Sequence, residues 1–168
     1  MKNKGVLLTV QAAMIAAIYV VLMVVFAPIG SGAIQVRISE ALTILPVFTP
    51  AAVPGVFIGC ILGNLFTGAM VPDIVFGSLA TLIGAVFTYL LRNKSRFLAP
   101  IPPIAANVLI IPFVLRYAYG EPLPIPFLMA TIGAGEIISC GVLGILLAKV
   151  LGKYQYHIFR TQPVNVTK

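Results

Sequence analysis

Four carboxylates are all the acid in this 168-residue chain. Glu136 is the one with the clearest chemical meaning. It sits in TIGAGEIISCG, residues 131–141, inside a long apolar run. A charged side chain at the centre of a membrane span costs roughly 2.5–3.5 kcal/mol on insertion scales, so it normally faces a cavity or a partner. Gly133 and Gly135 leave space beside it, and Ser139 and Cys140 follow at i+3 and i+4, on the same helix face. Asn107 is a second polar residue deep in an apolar stretch, and Asn64 a third. Buried amides offer donors and acceptors together. Glu40, Asn107 and Glu136 could line one cavity, suited to a small, flat, hydrogen-bonding and plausibly cationic ligand. QVRISEAL, residues 35–42, adds Arg37 and Glu40, a pair of opposite sign where the chain has few charges. It reads either as a capped helix start or as the hinge of a lid, with Glu40 at the pocket mouth and Arg37 anchoring the loop. Asp73 opens the next long apolar segment but one, and Glu121 lies in a loop.

Several chemistries are missing. The single histidine, His157, and the two cysteines, Cys60 and Cys140, make neither a metal set nor a nucleophile–base pair. No glycine-rich nucleotide loop is present, and no enzyme is expected.

The elements that must place these groups are membrane spans. Hydrophobic residues make up 60% of the chain and charged residues 9%, against about 25% charged in a soluble domain. The net charge of +7 could point to nucleic acid. The basic residues instead sit in short gaps and tails, as cytoplasmic loops require. The first apolar run, 6–28, is longer than a signal-peptide core and reads as a retained span. Other spans are expected at 73–91, 97–116 and 125–150. The segment 97–116 holds Pro100, Pro102, Pro103 and Pro112 and should be bent or broken.

The stretch 40–68 is long for one span and carries Pro46, Pro50 and Pro54. A single crossing would put Arg92, Lys94 and Arg96, and the tail with Lys153, Arg160 and Lys168, outside. A hairpin near 49–54 gives spans 40–49 and 53–68 and six spans in all. Both termini and nearly all basic residues, Lys2, Lys4 and Lys149 included, are then cytoplasmic, leaving only Arg37 and Arg116 outside. Tyr89, Tyr154 and Tyr156 then flank the inner clusters, and Tyr117 and Tyr119 the outer face. The expected fold is an all-α integral membrane protein: one six-helix domain over 1–152 and a basic cytoplasmic tail over 153–168. Span 40–49 is short, so neighbouring protein must support its ends. All four acids fall in the outer half, with Glu136 about 16 Å down at 1.5 Å per residue. The halves show no inverted repeat.

Two patterns of small residues complete the reading. Gly55, Gly59 and Gly63 form a close-packing face. Ala12 with Ala16, and Ala13 with Ala17, form overlapping pairs that serve either internal packing or docking of another protein.

QVRISEALTILPVFTPAAVPGVFIGCILGN, residues 35–64, and GSLATLIGAVFTYLLR, residues 77–92, resemble the queuosine-precursor transporter family, QueT. These are substrate-binding (S) components of energy-coupling factor (ECF) transporters. The resemblance spans roughly residues 6–152, and its most specific part is 37–42. It implies six spans in the cell (cytoplasmic) membrane, an outward-opening site, and a capping loop between spans one and two. It implies a partner module made of a transmembrane coupling subunit and two ATPase subunits, docked through Ala12, Ala13, Ala16 and Ala17. It implies a 7-deazaguanine ligand on the way to queuosine, such as the 7-aminomethyl form, and no cofactor. Glu136, Asn107, Glu40, Arg37, Asn64, Asp73 and Ser139 are the candidate binding residues. Two other readings stay open: a stand-alone proton-coupled carrier using Glu136, and a non-transport assembly factor.

Overall fold

Three glycines on one helix set how closely the first two long elements of this fold approach. In the computed structural model, which describes residues 3–30, 35–95 and 97–159, helix α1 (Asn3–Val25) packs along α3 (Ala52–Phe66). A Cβ on Gly55 would lie 3.0 Å from the Ala12 carbonyl oxygen, one on Gly59 2.7 Å from Tyr19 Cβ, and one on Gly63 2.5 Å from Met23 Sδ. The stripe lets backbone meet side chain without a gap, the gain being van der Waals contact where lipid supplies no hydrophobic drive. Ala16 is buried in this seam and Ala12 is half-buried, while Ala13 and Ala17 are exposed on the opposite face.

Between α1 and α3 runs the short one-turn α2 (Ala27–Gly30) and then a 3-10 helix, Ile38–Val47. Ten residues at 3-10 pitch reach about 20 Å, against about 15 Å as α-helix. The stretched pitch compensates for the short span expected here. Every residue from Ser39 to Val47 is buried. The element touches α1, α3, α4 (Val71–Leu91), α7 (Gly144–Phe159) and the π segment Ile137–Leu143. No lipid reaches its backbone.

At its far end the chain turns at residues 48–51. Thr49 Oγ1 accepts from the Ala51 N–H at 3.3 Å and donates to Gln11 Oε1 at 2.9 Å, and Gln11 Nε2 donates to the Phe159 carbonyl at 3.4 Å. Phe48 and Phe159 stack, with ring centroids 5.5 Å apart. The hairpin turn therefore lies at the same end of the bundle as the described beginning and end of the chain.

The segment expected to be bent or broken, helix α5 (Ile101–Tyr117), is one continuous helix, which removes the break. Pro102 and Pro103 stand in its first turn, where no N–H is needed, and the helix carries on through Pro112. The last helical run continues beyond the expected span 125–150. It extends through α6 (Ile125–Glu136), the π segment and α7 as 35 residues, Ile125–Phe159, so 153–159 of the expected tail are helical. Lys2, Arg96 and 160–168 lie outside the described residues, as do 31–34 of the expected capping loop.

Three helices are long and apolar enough to cross a membrane, Lys4–Val25, Val71–Leu91 and Ile125–Phe159, and three shorter apolar helices accompany them. The exterior is apolar, with Phe66, Val71 and Leu90 each more than 60% exposed, while Glu40, Asn64, Asn107 and Glu136 are buried. That inversion is the arrangement of a membrane protein.

Gly59→Ala is expected to push α1 off α3 and lower the thermal midpoint in detergent, costing about 1–3 kcal/mol. Gly5→Ala, where a Cβ meets nothing within 4 Å, should leave the midpoint unchanged or raise it. Equal midpoints for the two variants would contradict this packing.

Candidate functional site

The polar residues fall in two layers at the end of the bundle away from the hairpin turn. The outer layer is a cavity of about 400 Å³. Its polar lining includes Arg37, Ser39, Asn64, Asp73, Tyr119 and Glu121, and Leu22, Met23 and Phe26 from α1 and the residue after it form an apolar wall. Arg37 does not face Glu40. Its Nη2 lies 3.6 Å from Asp73 Oδ2, which ties the chain entering the 3-10 helix to the first turn of α4. Tyr119 accepts from the Met70 N–H at 3.1 Å and donates to Asp73 Oδ2 at 3.1 Å. Partial burial, reinforced by the Asp73 charge, pushes the Tyr119 phenol above its ordinary range, so it remains a donor at physiological pH. Arg116 Nη1 donates to the Glu121 carbonyl at 2.8 Å and folds the loop that presents Glu121.

The inner layer holds the two buried glutamates. Glu40 is 1% exposed and Glu136 4%. Their carboxylate oxygens and Cys140 Sγ lie within 4.8 Å of one another, and these are the three described side chains whose ligand atoms could share a cation. Residues 96 positions apart thus meet. The expectation of Glu40 at the pocket mouth is corrected: in the first turn of the 3-10 helix its side chain is buried beside Glu136, and it is Ser39 that lines the cavity. Glu40 Oε1 accepts from the Tyr19 hydroxyl and from Thr81 Oγ1 at 3.3 Å, while Oε2 has no partner. Cys140 Sγ donates to Glu136 Oε2 at 3.1 Å, one α-helical turn along the chain. It also lies 3.4 Å from Thr43 Oγ1, whose hydroxyl donates to the Glu40 carbonyl at 2.6 Å.

Other candidates border this layer. Asn107 sits close enough to act on the Glu136 carboxyl. Its amide nitrogen nevertheless has no partner at hydrogen-bonding geometry. Ser139 is fully buried with its hydroxyl unpartnered. Asn64 Nδ2 donates to Cys60 Sγ at 3.5 Å, and Thr81 Oγ1 is 3.5 Å from the same sulfur, so Asn64, which lines the cavity, joins it to the Glu40 layer. Gly135 packs directly on the Gln35 backbone carbonyl, which seats residues 35–37 on α6 beside Glu136.

Tyr19, Thr81 and Tyr119 escaped the sequence reading. Tyr19 had a usable signal. It is a tyrosine in the middle of an apolar span, far from either interface where tyrosines belong. Thr81 had none, because threonines in spans commonly bond their own helix, as this one also does to the Gly77 carbonyl at 3.1 Å.

Comparison with known proteins gives one match. The family model described as QueT transporter matches residues 9–153. Nothing among curated proteins or solved structures matches.

Tyr19→Phe leaves Glu40 short of a donor and should cost about 1–3 kcal/mol of stability in detergent. A double-mutant cycle with Glu40→Gln should show coupling of about 0.5–3 kcal/mol. Additive effects would mean that the two side chains do not act on each other.

Proposed function

The chain belongs to the QueT transporter family, and on that premise we propose that it is the high-affinity substrate-binding subunit of an ATP-driven importer of the energy-coupling factor type. In this reading it is a multi-pass protein of the cytoplasmic membrane, one domain of six spans with both termini inside. Its cavity opens outward and takes a queuosine precursor, a 7-deazaguanine base such as the 7-aminomethyl form. The observation that carries the proposal is the cavity of about 400 Å³, which is in the range of small-molecule sites and is backed by buried, incompletely bonded carboxylate and amide groups. A guanine-like edge presents several N–H donors, and carboxylates are their strong acceptors. Arg37, Asn64 and Asp73 would meet the ligand in the cavity. Glu40, Asn107, Glu136 and Ser139 would meet it below.

The energising module would be a transmembrane coupling subunit with two ATPase subunits. Its docking face on α1 would be Ala13 and Ala17, which are exposed, rather than Ala12 and Ala16, which α3 already covers. A proton-coupled carrier acting alone is the competing reading, favoured by two carboxylates side by side. Uptake by vesicles containing only this chain, driven by a pH gradient and indifferent to ATP, would decide for it.

Purified protein is expected to bind radiolabelled 7-aminomethyl-7-deazaguanine, and Asn64→Ala to weaken that binding at least about tenfold, equivalent to about 1.4 kcal/mol. No binding by the wild type would end this reading of the ligand. Ala13→Trp and Ala17→Trp should abolish uptake in cells while leaving ligand binding intact. Normal uptake would remove α1 from the docking face.

A further inference from the structure

Among the described residues no cation makes a direct ion pair with Glu40 or Glu136, and the Arg37 charge acts on them only from the outer layer. Among the described residues the one ion pair is Arg37 with Asp73, so the nearest guanidinium is already engaged in the outer layer. Two buried carboxylates this close need positive charge between them or a proton on one of them. Unpartnered groups surround the pair. Glu40 Oε2 accepts no bond, the Asn107 amide nitrogen beside Glu136 donates none, and Ser139 Oγ makes none. Asn107 is 3% exposed and Ser139 0%. Such groups are bonded in nearly all native structures; here Glu40 Oε2 belongs to the pair itself and Asn107 acts on Glu136.

We propose that this pair is a subsite for the protonated amine of the ligand, so that the protein selects an organic cation over its neutral analogue. The inference rests on the deazaguanine reading above and goes beyond it by assigning the ligand's charge to Glu40 and Glu136. An ammonium carries three donors and no acceptor. It matches two carboxylates, and a charge-assisted bond to each is roughly twice as strong as a neutral one. An inorganic ion fits less well. Calcium or magnesium would want about six oxygens, and zinc or copper a set richer in thiolate or imidazole than two glutamates and one cysteine. The position suits a two-part ligand. The flat ring would sit in the cavity, whose lining includes Ser39, the residue before Glu40, with the amine directed toward Glu40. Asn64 lies within 3.5 Å of Cys60, Cys60 within 3.5 Å of Thr81, and Thr81 within 3.3 Å of Glu40.

The experiment is equilibrium binding to the purified full-length chain with two ligands of nearly equal size: 7-aminomethyl-7-deazaguanine, charged, and 7-hydroxymethyl-7-deazaguanine, neutral. The wild type is expected to prefer the amine by about 100-fold, the scale of one lost charge-assisted contact. Glu40→Gln and Glu136→Gln keep the side-chain shape. Each should reduce the preference to within about fivefold, chiefly by weakening the amine. Equal wild-type affinity for the two ligands overturns the proposal, and that comparison needs no variant to fold. A folded Glu40→Gln that weakens both ligands equally also overturns it, since the carboxylate would then serve only structure. So would binding that requires an added metal ion. If neither ligand binds, the deazaguanine reading itself has failed and this inference falls with it. Equal binding of both leaves that reading standing and removes only the charge assignment.

Discussion

A ten-residue helix, drawn out to 3-10 pitch and sealed inside the bundle, carries a carboxylate where no lipid or bulk water reaches it. The rest of the structure answers that constraint. The helix cannot face lipid, so five other elements enclose it. The Glu40 carboxylate cannot be left bare, so α1 supplies Tyr19 and α4 supplies Thr81. Tyr19 reaches Glu40 only because α1 lies close on α3, and the glycines of α3 set that closeness. Small-residue packing, an aromatic hydroxyl and a buried acid form one connected arrangement.

The same arrangement explains the two layers. Arg37 and Asp73 satisfy each other near the entrance, and Tyr119 ties Asp73 to the loop that closes the other side. Among the described residues neither Arg37 nor Asp73 forms an ion pair with the inner layer, although the Arg37 charge acts on both glutamates there. Glu136 enters that layer from a helical run that switches to π geometry directly after it, over Ile137–Leu143. Such π segments are rare and frequently occur at functional sites, because the extra residue per turn realigns side chains. The Ser139 and Cys140 positions belong to this segment, and Cys140 is the side chain that touches Glu136 and Thr43 together.

Much of this was legible in the sequence. The burial of Glu136 followed from its place within an apolar run, and the glycine stripe from its four-residue spacing. The hairpin over 40–68 followed from charge placement, and the turn does lie beside the chain's two described ends. Membership of the family was legible in residues 35–64 and 77–92. Other features were hidden for identifiable reasons. Helical pitch is not encoded by hydrophobicity, so a short apolar stretch reads as a short α-helix, and the meeting of Glu40 with Glu136 is a tertiary contact that no local pattern encodes. Prolines signal breaks, yet two of those in α5 occupy its N-terminal turn and cost nothing there. Overlapping alanine pairs look equivalent in the sequence. Only the position of α3 separates Ala16, buried, from Ala13 and Ala17, exposed.

The account stands or falls on whether the buried carboxylates hold a small ligand. Native mass spectrometry of the protein released from its own membrane measures this directly. The account predicts a retained cationic heterocycle of deazaguanine mass on the wild type, absent or strongly depleted on Glu136→Gln. A wild-type protein that emerges without any such adduct, or an adduct equally abundant on Glu136→Gln, would contradict it.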